Sequence, residues 1–261
     1  SRAADDLSPL DTQGLPDEVR PLVQELNLLF DRVQRAFDAQ KSFVADAAHE
    51  LRSPLTALRL QAQTLRRTHL GSDEASRDLA VQRLNQGIDR AIALVEQMLV
   101  LARQEAHGSQ AHAATPVDLQ ALVRDGITAV LPQAQARGID LGLLEGDAVV
   151  VQGNPDGLHI LLRNLLDNAI KYTPEHGQVD VELRRDGTVP VLAVDDSGPG
   201  LDEEGRARAF DRFYRAADAS ASGSGLGLAI VKAIADQHGA AVQLLPSSQL
   251  GGLRVEVRFA G

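Results

Sequence analysis

The sequence predicts a multidomain chain in which an all-α helical hairpin, forming a dimeric four-helix bundle, is followed by an α+β sandwich. Three observations lead to this fold class. The N-terminal part carries long apolar runs at heptad spacing, which are typical of helices that pack against other helices. Residues 107–116 are small, polar and without periodicity, as expected of a linker. After them, strand-like patterns alternate with amphipathic helices.

The amino-acid composition argues against several kinds of site and partner. The chain has 261 residues and no Cys, which excludes disulfides, zinc–thiolate sites and a Cys nucleophile. A net charge of −10 argues against nucleic acid as a partner, and 3% aromatic residues without Trp argue against stacking platforms. An anionic ligand would therefore be held locally, by helix N-termini, a few cations or a metal ion.

The helical half consists of two predicted helices. An apolar seam with alternating steps of three and four predicts the first helix from Leu22 to Leu65. Gly71-Ser72-Asp73 interrupts the pattern, and Ser72 or Asp73 is the expected N-cap of a second helix whose seam runs from Val81 to Ala102. A two-helix hairpin cannot bury its own apolar stripes, so a dimeric four-helix bundle is the expected assembly.

The second half mixes helices and strands. Helices are predicted at Leu119–Ala136, Pro155–Tyr172 and Leu226–His238, and strands at Asp140–Leu144, Val149–Val151, Val179–Leu183, Val189–Val194, Val242–Leu245 and Leu253–Phe259. The position of Pro155 suits the first turn of a helix, where a missing N–H costs nothing. Helices segregated from a mostly antiparallel or mixed sheet predict an α+β sandwich.

One of the seven histidines has distinctive surroundings. His49 is followed by Glu50, and its neighbours Ala47 and Leu51 fall on the apolar seam, so the imidazole is expected to face solvent. A neutral, exposed imidazole can act as a nucleophile, and Glu50 can accept a hydrogen bond from one of its nitrogens. Pro54 removes a backbone donor and predicts a bend in the helix just past His49. A surface His–Glu pair taken alone is more often without function.

Three features of the second half predict a phosphate or nucleotide ligand. Asn164, Asn168 and Lys171 share one helix face, where amides and an ammonium group can bind phosphate oxygens or a hard cation. The segment Asp195–Gly200 puts a carboxylate before a tight glycine turn, where it can accept the exocyclic amine of adenine. The segment Gly223–Leu228 offers a nest of N–H donors at a helix start. Each feature alone also has an explanation without function. Asn164, Asn168 and Lys171, for example, could be the solvent-facing residues of an amphipathic surface helix.

Between these features lies a predicted lid. The segment 210–223, F-D-R-F-Y-R-A-A-D-A-S-A-S-G, has apolar anchors followed by small residues. Arg212 and Arg215 within it are placed to reach a terminal phosphate.

Together these segments resemble one family. H-E-L-R-S-P-L, N-L-L-D-N-A-I-K-Y, D-D-S-G-P-G-L, F-D-R-F-Y-R and G-S-G-L-G-L-A-I-V-K resemble, in order, the H, N, G1, F and G2 boxes of bacterial sensor histidine kinases. The resemblance covers the chain from about Val19 to its end. It implies a dimerisation and histidine-phosphotransfer bundle joined to an ATP-binding sandwich of the gyrase and chaperone ATPase type, the GHKL or Bergerat fold. The implied activity is autophosphorylation of a histidine from ATP, followed by transfer to an aspartate of a response regulator.

The resemblance also implies roles for the reacting residues. His49 would be the phosphoacceptor and Glu50 its acid/base partner. Arg215, together with Arg212, would stabilise charge on the transferred phosphoryl group. Ser53 stands where the family most often has Thr, at a position that orients water for dephosphorylation of the regulator. Serine keeps the hydroxyl but lacks the methyl group that restricts its rotamers, so weaker phosphatase activity is expected.

The remaining implied residues would bind the nucleotide. Asn168 is the expected Mg²⁺ ligand, so the implied cofactors are ATP and Mg²⁺. The other members of this set are Asn164, Lys171 and Tyr172 facing the nucleotide, Asp196 on the adenine, Gly198 and Gly200 in the turn, and Gly223, Gly225, Leu226 and Gly227 at the lid and phosphates.

The resemblance divides the chain into four parts. Residues 1–18 resemble the end of a HAMP signal relay, residues 19–107 form the dimerisation and phosphotransfer domain, residues 108–116 the linker and residues 117–261 the catalytic domain. The implied partners are a second copy of the chain and the receiver domain of a response regulator. No apolar run approaches the roughly 18–20 residues of a membrane span. The resemblance to a HAMP relay implies that the chain is the cytoplasmic portion of an inner-membrane protein whose spans lie elsewhere.

Two other functions compete with phosphotransfer. A GHKL-type conformational ATPase typically carries a Glu in the N-box helix as general base, but the matching residue here is Asn164, which cannot take up a proton. A non-enzymatic dimeric scaffold would have no need for the polar ligands, all of which are present. Phosphotransfer to His49 is therefore the preferred hypothesis.

Overall fold

The structure, a computed structural model, describes residue 10, residue 16 and residues 19–68, 74–106, 115–144, 146, 148–215 and 223–260. It divides into two compact units, Ser1–Ala91 and Ile92–Gly261. The predicted linker, residues 108–116, lies largely outside the described residues, and the four predicted domain limits stay predictions.

Two long helices make up the N-terminal part. Helix α1 runs from Arg20 to Thr68, so its 49 residues extend about 73 Å at ~1.5 Å per residue. It continues through Pro54. Helix α2 covers Glu74–Ala106, and the expected caps Ser72 and Asp73 lie outside the described residues. The two predicted helices are thus confirmed, and both extend beyond their apolar seams, α2 by more than two turns in total.

Much of the apolar seam stays exposed in the single chain. The exposed seam residues of α1 and α2 include Leu22, Leu26, Leu29, Val81 and Ile88. A stripe of this length is typical of helices that are buried by a further copy or another helix. Near the end of α2, by contrast, Leu94, Met98 and Leu101 are buried within the second unit.

The second unit contains four further helices and seven strands among the described residues. In chain order they are β1 Thr115–Asp118, α3 Leu119–Ala136, β2 Asp140–Leu143, β3 Val150–Gly153, α4 Pro155–Tyr172, β4 Gln178–Asp186, β5 Val189–Asp196, α5 Glu203–Arg208, α6 Gly227–Gln237, β6 Ala241–Pro246 and β7 Leu253–Arg258. The main sheet has the order β2-β4-β5-β7-β6, and only the β2–β4 pair is parallel. This arrangement confirms the predicted α+β sandwich.

The core lies between the main sheet and the helices. Helix α4 buries one leucine-rich stripe, Leu158, Leu161, Leu162, Leu165 and Leu166, and full burial of such a side chain is worth about 1.5–3 kcal/mol. Alternate residues of β4, namely Val179, Val181 and Leu183, are buried as well. Because one face of α4 is fixed in the core, its other face carries its polar residues at a defined position.

Two short elements were not predicted. Strand β1 pairs antiparallel with β3, and Pro116 is tolerated there because β1 is an edge strand. Helix α5 has six residues, and its N-cap is Asp202, whose Oδ1 accepts a hydrogen bond of 2.7 Å from Gly205 N. Strand β1 has a proline and only one buried residue, and the six residues of α5 make less than two helical turns, so neither element shows a clear period.

Candidate functional site

His49 lies on the exposed surface of α1. Its side chain is 79% exposed, and Nδ1 lies 3.5 Å from Glu50 Oε1. The predicted exposure is therefore observed. Since Nδ1 faces the carboxylate, Nε2 is the ring nitrogen that is directed away from Glu50. Ser53, one turn further along α1, is exposed too.

The polar face of α4 carries the predicted amide and lysine side chains. Asn164 Nδ2 donates 2.8 Å to Ile160 O, which fixes the amide and leaves Oδ1 as an acceptor. Lys171 Nζ donates 2.9 Å to Tyr172 OH and lies 4.3 Å from the centre of the tyrosine ring. Asn164, Asn168, Lys171 and Tyr172 are all half-buried. The helix thus presents amide oxygens and one cation at a partly desolvated surface.

The second glycine segment lies directly against this face. A Cβ at Gly227, the first residue of α6, would lie 3.0 Å from Asn168 Nδ2 and 3.3 Å from Asn164 Oδ1. A Cβ at Gly223 would collide with Lys171 Nζ. The structure therefore brings together two sequence features that are far apart in the chain, and it does so through glycines because a side chain would separate them.

Gly225 connects the glycine segment to the region of the predicted lid. It has φ +72°, and a Cβ there would lie 2.5 Å from the carbonyl carbon of Phe213. Phe213 N donates 3.0 Å to Gly225 O. Arg212 is half-buried and Arg215 is exposed. Residues 216–222 of the predicted lid lie outside the described residues.

Asp196 ends β5 in a buried position. It is 6% exposed, and its Oδ1 accepts bonds of 2.8 Å from Gly198 N and 3.2 Å from Leu253 N. Burial raises the pKa of this carboxyl above its ordinary value of 3.8, the two backbone donors oppose the rise, and the adjacent Asp195 adds to it. Both bonds use Oδ1, so Oδ2 is the oxygen that remains for a donor on a ligand.

Close backbone approaches surround Asp196. A Cβ at Gly198 would lie 2.8 Å from Asp196 Oδ1 and 2.8 Å from Tyr172 O. Gly200 has φ +69°, which favours glycine. The structure therefore groups Gly198 and Gly200 with Asp196, next to the C-terminal end of α4.

Asp195, the preceding residue, has different surroundings. Its Oδ2 pairs with Arg254 of β7. The Arg254 guanidinium also bonds Glu182 of β4 and Glu256 of β7 itself. Successive strand residues point to opposite faces of the sheet. Asp195 therefore belongs to an ion-pair network, and Asp196 is the one that faces the helices.

Sequence reasoning missed two features of the site. A Cβ at Gly252 would clash with Asp196 and Gly198, so the turn before β7 must be glycine to close against Asp196. Arg137 donates to Ile170 O, to Lys171 O at 3.1 Å and to Thr173 O at 2.7 Å, and so caps the C-terminal end of α4. Both contacts join distant parts of the chain, and no local pattern signals them.

Asn168 fits a magnesium ion held mainly by phosphate oxygens. Within the described residues its carboxamide makes no hydrogen bond, and no group of three or more His, Cys, Asp or Glu residues is placed to bind a metal. Mg²⁺ commonly keeps several waters and takes only one or two protein ligands beside substrate phosphates. A single hard oxygen at this position satisfies that requirement.

Three family models match the chain. The model for histidine kinase-, DNA gyrase B- and HSP90-like ATPases matches residues 153–260. The His Kinase A (phospho-acceptor) domain matches residues 39–107, and the HAMP domain of PhoQ-like sensor proteins matches residues 1–35. No helix in the described parts of the chain is long and apolar enough to cross a membrane.

Curated relatives match almost the whole chain. The sensor protein QseC of Salmonella typhi is 40% identical over 99% of this chain and 56% of its own length. The sensor protein BasS of Escherichia coli strain K12 is 34% identical over 99% of this chain and 69% of its own length. The chain thus spans little more than half the length of QseC.

Two solved structures of histidine kinases are also similar to this chain. The mycobacterial sensor histidine kinase MprB is 32% identical, with a TM-score of 0.50 over 56% of this chain and 96% of its own. The histidine kinase AdeS of Acinetobacter baumannii is 23% identical, with a TM-score of 0.64 over 81% of this chain and 97% of its own, and it shows the shared fold alone.

Fold and site together define an ATP-binding domain of the class that includes histidine kinases, DNA gyrase B and HSP90. The match to the phospho-acceptor domain and the similarity to sensor proteins identify one family within this class. The chain belongs to the sensor histidine kinase family.

Proposed function

We propose that this chain transfers the γ-phosphoryl group of ATP to His49, and from there to an aspartate of a response regulator. The observation that carries the proposal is the convergence of the α4 amides and Lys171 on the glycine segment, combined with an exposed His49 beside a carboxylate. The first group of residues can hold a nucleotide, and the second can accept its phosphate.

The first transfer is an in-line displacement at phosphorus. His49 Nε2 attacks, its lone pair forms the N–P bond, and the bond from phosphorus to the β,γ-bridging oxygen breaks to release ADP. The imidazole becomes cationic as the bond forms, and Glu50 accepts the proton of Nδ1, the nitrogen that lies 3.5 Å from its Oε1. Arg215 and Arg212 would stabilise the charge on the transferred group.

The nucleotide would be held at both ends. Asp196 Oδ2 would accept the exocyclic amine of adenine, in a turn shaped by Gly198 and Gly200. Asn164, Lys171 and Tyr172, with Gly223, Gly225, Leu226 and Gly227, would contact the phosphates. The HATPase match supports ATP as the ligand.

Asn168 would hold Mg²⁺, which supplies charge neutralisation at the phosphates when it is bound. For Asn168→Ala we expect nucleotide affinity to lose its dependence on Mg²⁺, and Mg²⁺-dependent labelling to fall well below the wild-type rate. A labelling rate within about threefold of wild type, equivalent to ~0.6 kcal/mol of barrier, would contradict this role.

A homodimer and a receiver domain are the proposed partners. The exposed seam of α1 and α2 supports burial against a second copy. The exposed surface of α1 around His49 would receive the regulator. The HAMP match supports the proposal that the chain is the cytoplasmic portion of an inner-membrane protein, with the domain limits predicted above.

Phosphohistidine chemistry tests the function. The chain is incubated with ATP labelled at the γ-phosphate and with Mg²⁺, and the labelled protein is exposed to acid and to base. We expect a label that is lost in acid and retained in base, as phosphohistidine requires. Steady release of inorganic phosphate without protein labelling would instead identify a conformational ATPase.

A further inference from the structure

His238 connects the two helices that form the nucleotide site. It follows α6, and its Nε2 lies 3.0 Å from the backbone N of Asn154, the N-cap residue of α4. Its Nδ1 lies 2.7 Å from Ile234 O, one turn back in α6. One half-buried imidazole therefore joins the C-terminal end of α6 to the N-terminal end of α4, across 84 residues of sequence.

These two partners define the protonation state of the ring. A backbone N–H can only donate, so Nε2 must be the unprotonated nitrogen. A backbone carbonyl can only accept, so Nδ1 must carry the hydrogen. The two contacts are both satisfied only by the neutral Nδ1–H tautomer, since protonation of Nε2 removes the acceptor that Asn154 N requires.

The backbone around the ring leaves it little freedom. A Cβ at Gly153 would lie 2.6 Å from His238 Cδ2 and 2.8 Å from Nε2, and a Cβ at Gly157 would lie 3.5 Å from Cε1. The ring therefore occupies the space that a side chain at Gly153 would fill, and Gly157 lies at ordinary contact distance from it.

The other end of the helix pair carries the site. Gly227 begins α6 and lies against Asn164 and Asn168 of α4. The start of α4 meets the end of α6 at His238, so the two helices run antiparallel and are fixed at two places. A shift at His238 would slide α4 along α6 and change the distance between its amides and Gly227.

We propose that His238 is a positioning residue for the nucleotide site: its Nε2, as acceptor, fixes the N-terminus of α4 against α6 and so keeps Asn164 and Asn168 in register with the glycine segment. This proposal rests on the nucleotide site proposed above. The tautomer and the helix register do not depend on phosphotransfer.

Two substitutions separate the ring nitrogens. In His238→Gln the side-chain oxygen can replace Nε2 and accept from Asn154 N. In His238→Asn the amide nitrogen can replace Nδ1 and donate to Ile234 O, but no acceptor reaches Asn154. His159→Asn is the matched control, because His159 is an exposed histidine of α4 away from these contacts.

The measurement is the dissociation constant of a fluorescent ATP analogue on the full 261-residue chain, well below the thermal midpoint of every variant. We expect His238→Asn to weaken binding on the order of tenfold, as a small displacement of binding groups does. We expect His238→Gln and the His159→Asn control to stay within about threefold of wild type. Equal affinity for His238→Asn and wild type, or equal losses in His238→Asn and His238→Gln, would overturn the proposal.

A second measurement does not depend on the folding of His238→Asn. A two-bond ¹H–¹⁵N correlation spectrum of the wild-type chain, labelled at histidine, reports the tautomer of each ring, and the signal that disappears in His238→Gln assigns His238. An unprotonated Nε2 is expected. A protonated Nε2 would overturn the proposal even if His238→Asn does not fold. Absence of nucleotide binding by the wild type would contradict the proposed function instead, so the two failures are distinguishable.

Discussion

The two aspartates at the end of β5 show how strand geometry assigns chemistry to single residues. Asp195 pairs with Arg254 on one face of the sheet, and Asp196 lies buried near α4 on the other. Only Asp196 combines a desolvated carboxylate with two backbone donors on a single oxygen. The sequence D-D alone does not show which aspartate faces the helices. The alternation of side chains along the strand assigns that position to Asp196.

The raised pKa of Asp196 predicts a pH dependence of nucleotide binding. In the proposed site the ionised carboxylate would accept the adenine amine, and protonation would remove that acceptor, so affinity is expected to fall as pH falls through the pKa. Because burial raises this pKa, the loss should begin at a higher pH than for an ordinary aspartate with a pKa of 3.8. Titration of an ATP analogue between neutral and acid pH measures it.

Matched variants test the assignment of that pH dependence. Asp196→Asn should bind the nucleotide weakly and without the acid-dependent loss. Asp140→Asn, the same substitution at an exposed position of β2, should keep both the affinity and the pH profile. An unchanged profile in Asp196→Asn would show that another group titrates.

The serine at position 53 leads to a prediction about phosphatase activity toward the regulator. Its hydroxyl is exposed one turn after His49, where it can orient water toward the regulator's phosphoaspartate. Ser53→Thr should raise phosphatase activity several-fold, roughly 1 kcal/mol of better positioning, and Ser53→Ala should nearly eliminate it. The measurement is the decay of the phosphorylated regulator, with His49 labelling as the control. Equal decay with wild type and Ser53→Ala would show that the hydroxyl takes no part in dephosphorylation of the regulator.

At the scale of elements, the contact between α4 and the start of α6 forms the site. The leucine stripe fixes α4 in the core, and Gly227 allows α6 to begin against Asn164 and Asn168. Arg137 and His238 hold the two ends of α4. The polar face of α4 is therefore fixed by contacts along its entire length.

Gly227→Ala is expected to weaken ATP binding about tenfold or more, with little loss of overall stability. Its Cβ would lie 3.0 Å from Asn168 Nδ2, so the amides or the helix start must move, and we expect the displaced amides to bind the phosphates on the order of tenfold more weakly. Gly142→Ala is the control, since its Cβ would meet nothing nearer than 3.8 Å. Nucleotide affinity is measured for both variants, and equal affinities would mean that the close approach has no function.

The elements with a clear apolar pattern could be predicted from sequence. The limits of α3 and α4 coincide with the prediction because 18 residues of amphipathic pattern mark both helices, and a Pro at the first turn marks α4. Helix α5 has six residues, which is less than two helical turns. Strand β1 carries a proline and is stabilised by pairing with β3, and this pairing is not visible in local sequence.

The site residues were predictable as a set, but their contacts were not. Five ordered motifs identify Asn168, Asp196 and Gly227 as members of one site. Leu253, Gly252 and Arg137 complete it through tertiary approach, and the bond from Leu253 N to Asp196 joins residues 57 apart. Such contacts depend on how strands and helices pack, which hydrophobic pattern alone does not specify.

At the scale of the whole molecule, the proposed phosphoacceptor and the proposed nucleotide-binding residues belong to different units of the chain. His49 lies on α1 in the first unit, whereas α4, α6 and Asp196 lie in the second. A substitution at the acceptor is therefore expected to act on transfer and to leave nucleotide binding intact.

The most direct test of the central claim is labelling of His49→Gln with γ-labelled ATP and Mg²⁺, together with the dissociation constant for an ATP analogue. His159→Gln, at an exposed histidine of α4, is the matched control. The account predicts no label on His49→Gln, full labelling of the control, and nucleotide affinity within about twofold of wild type, because His49 and the proposed nucleotide-binding residues belong to different units of the chain. Labelling of His49→Gln at wild-type stoichiometry would show that the phosphate is accepted elsewhere and would contradict the account.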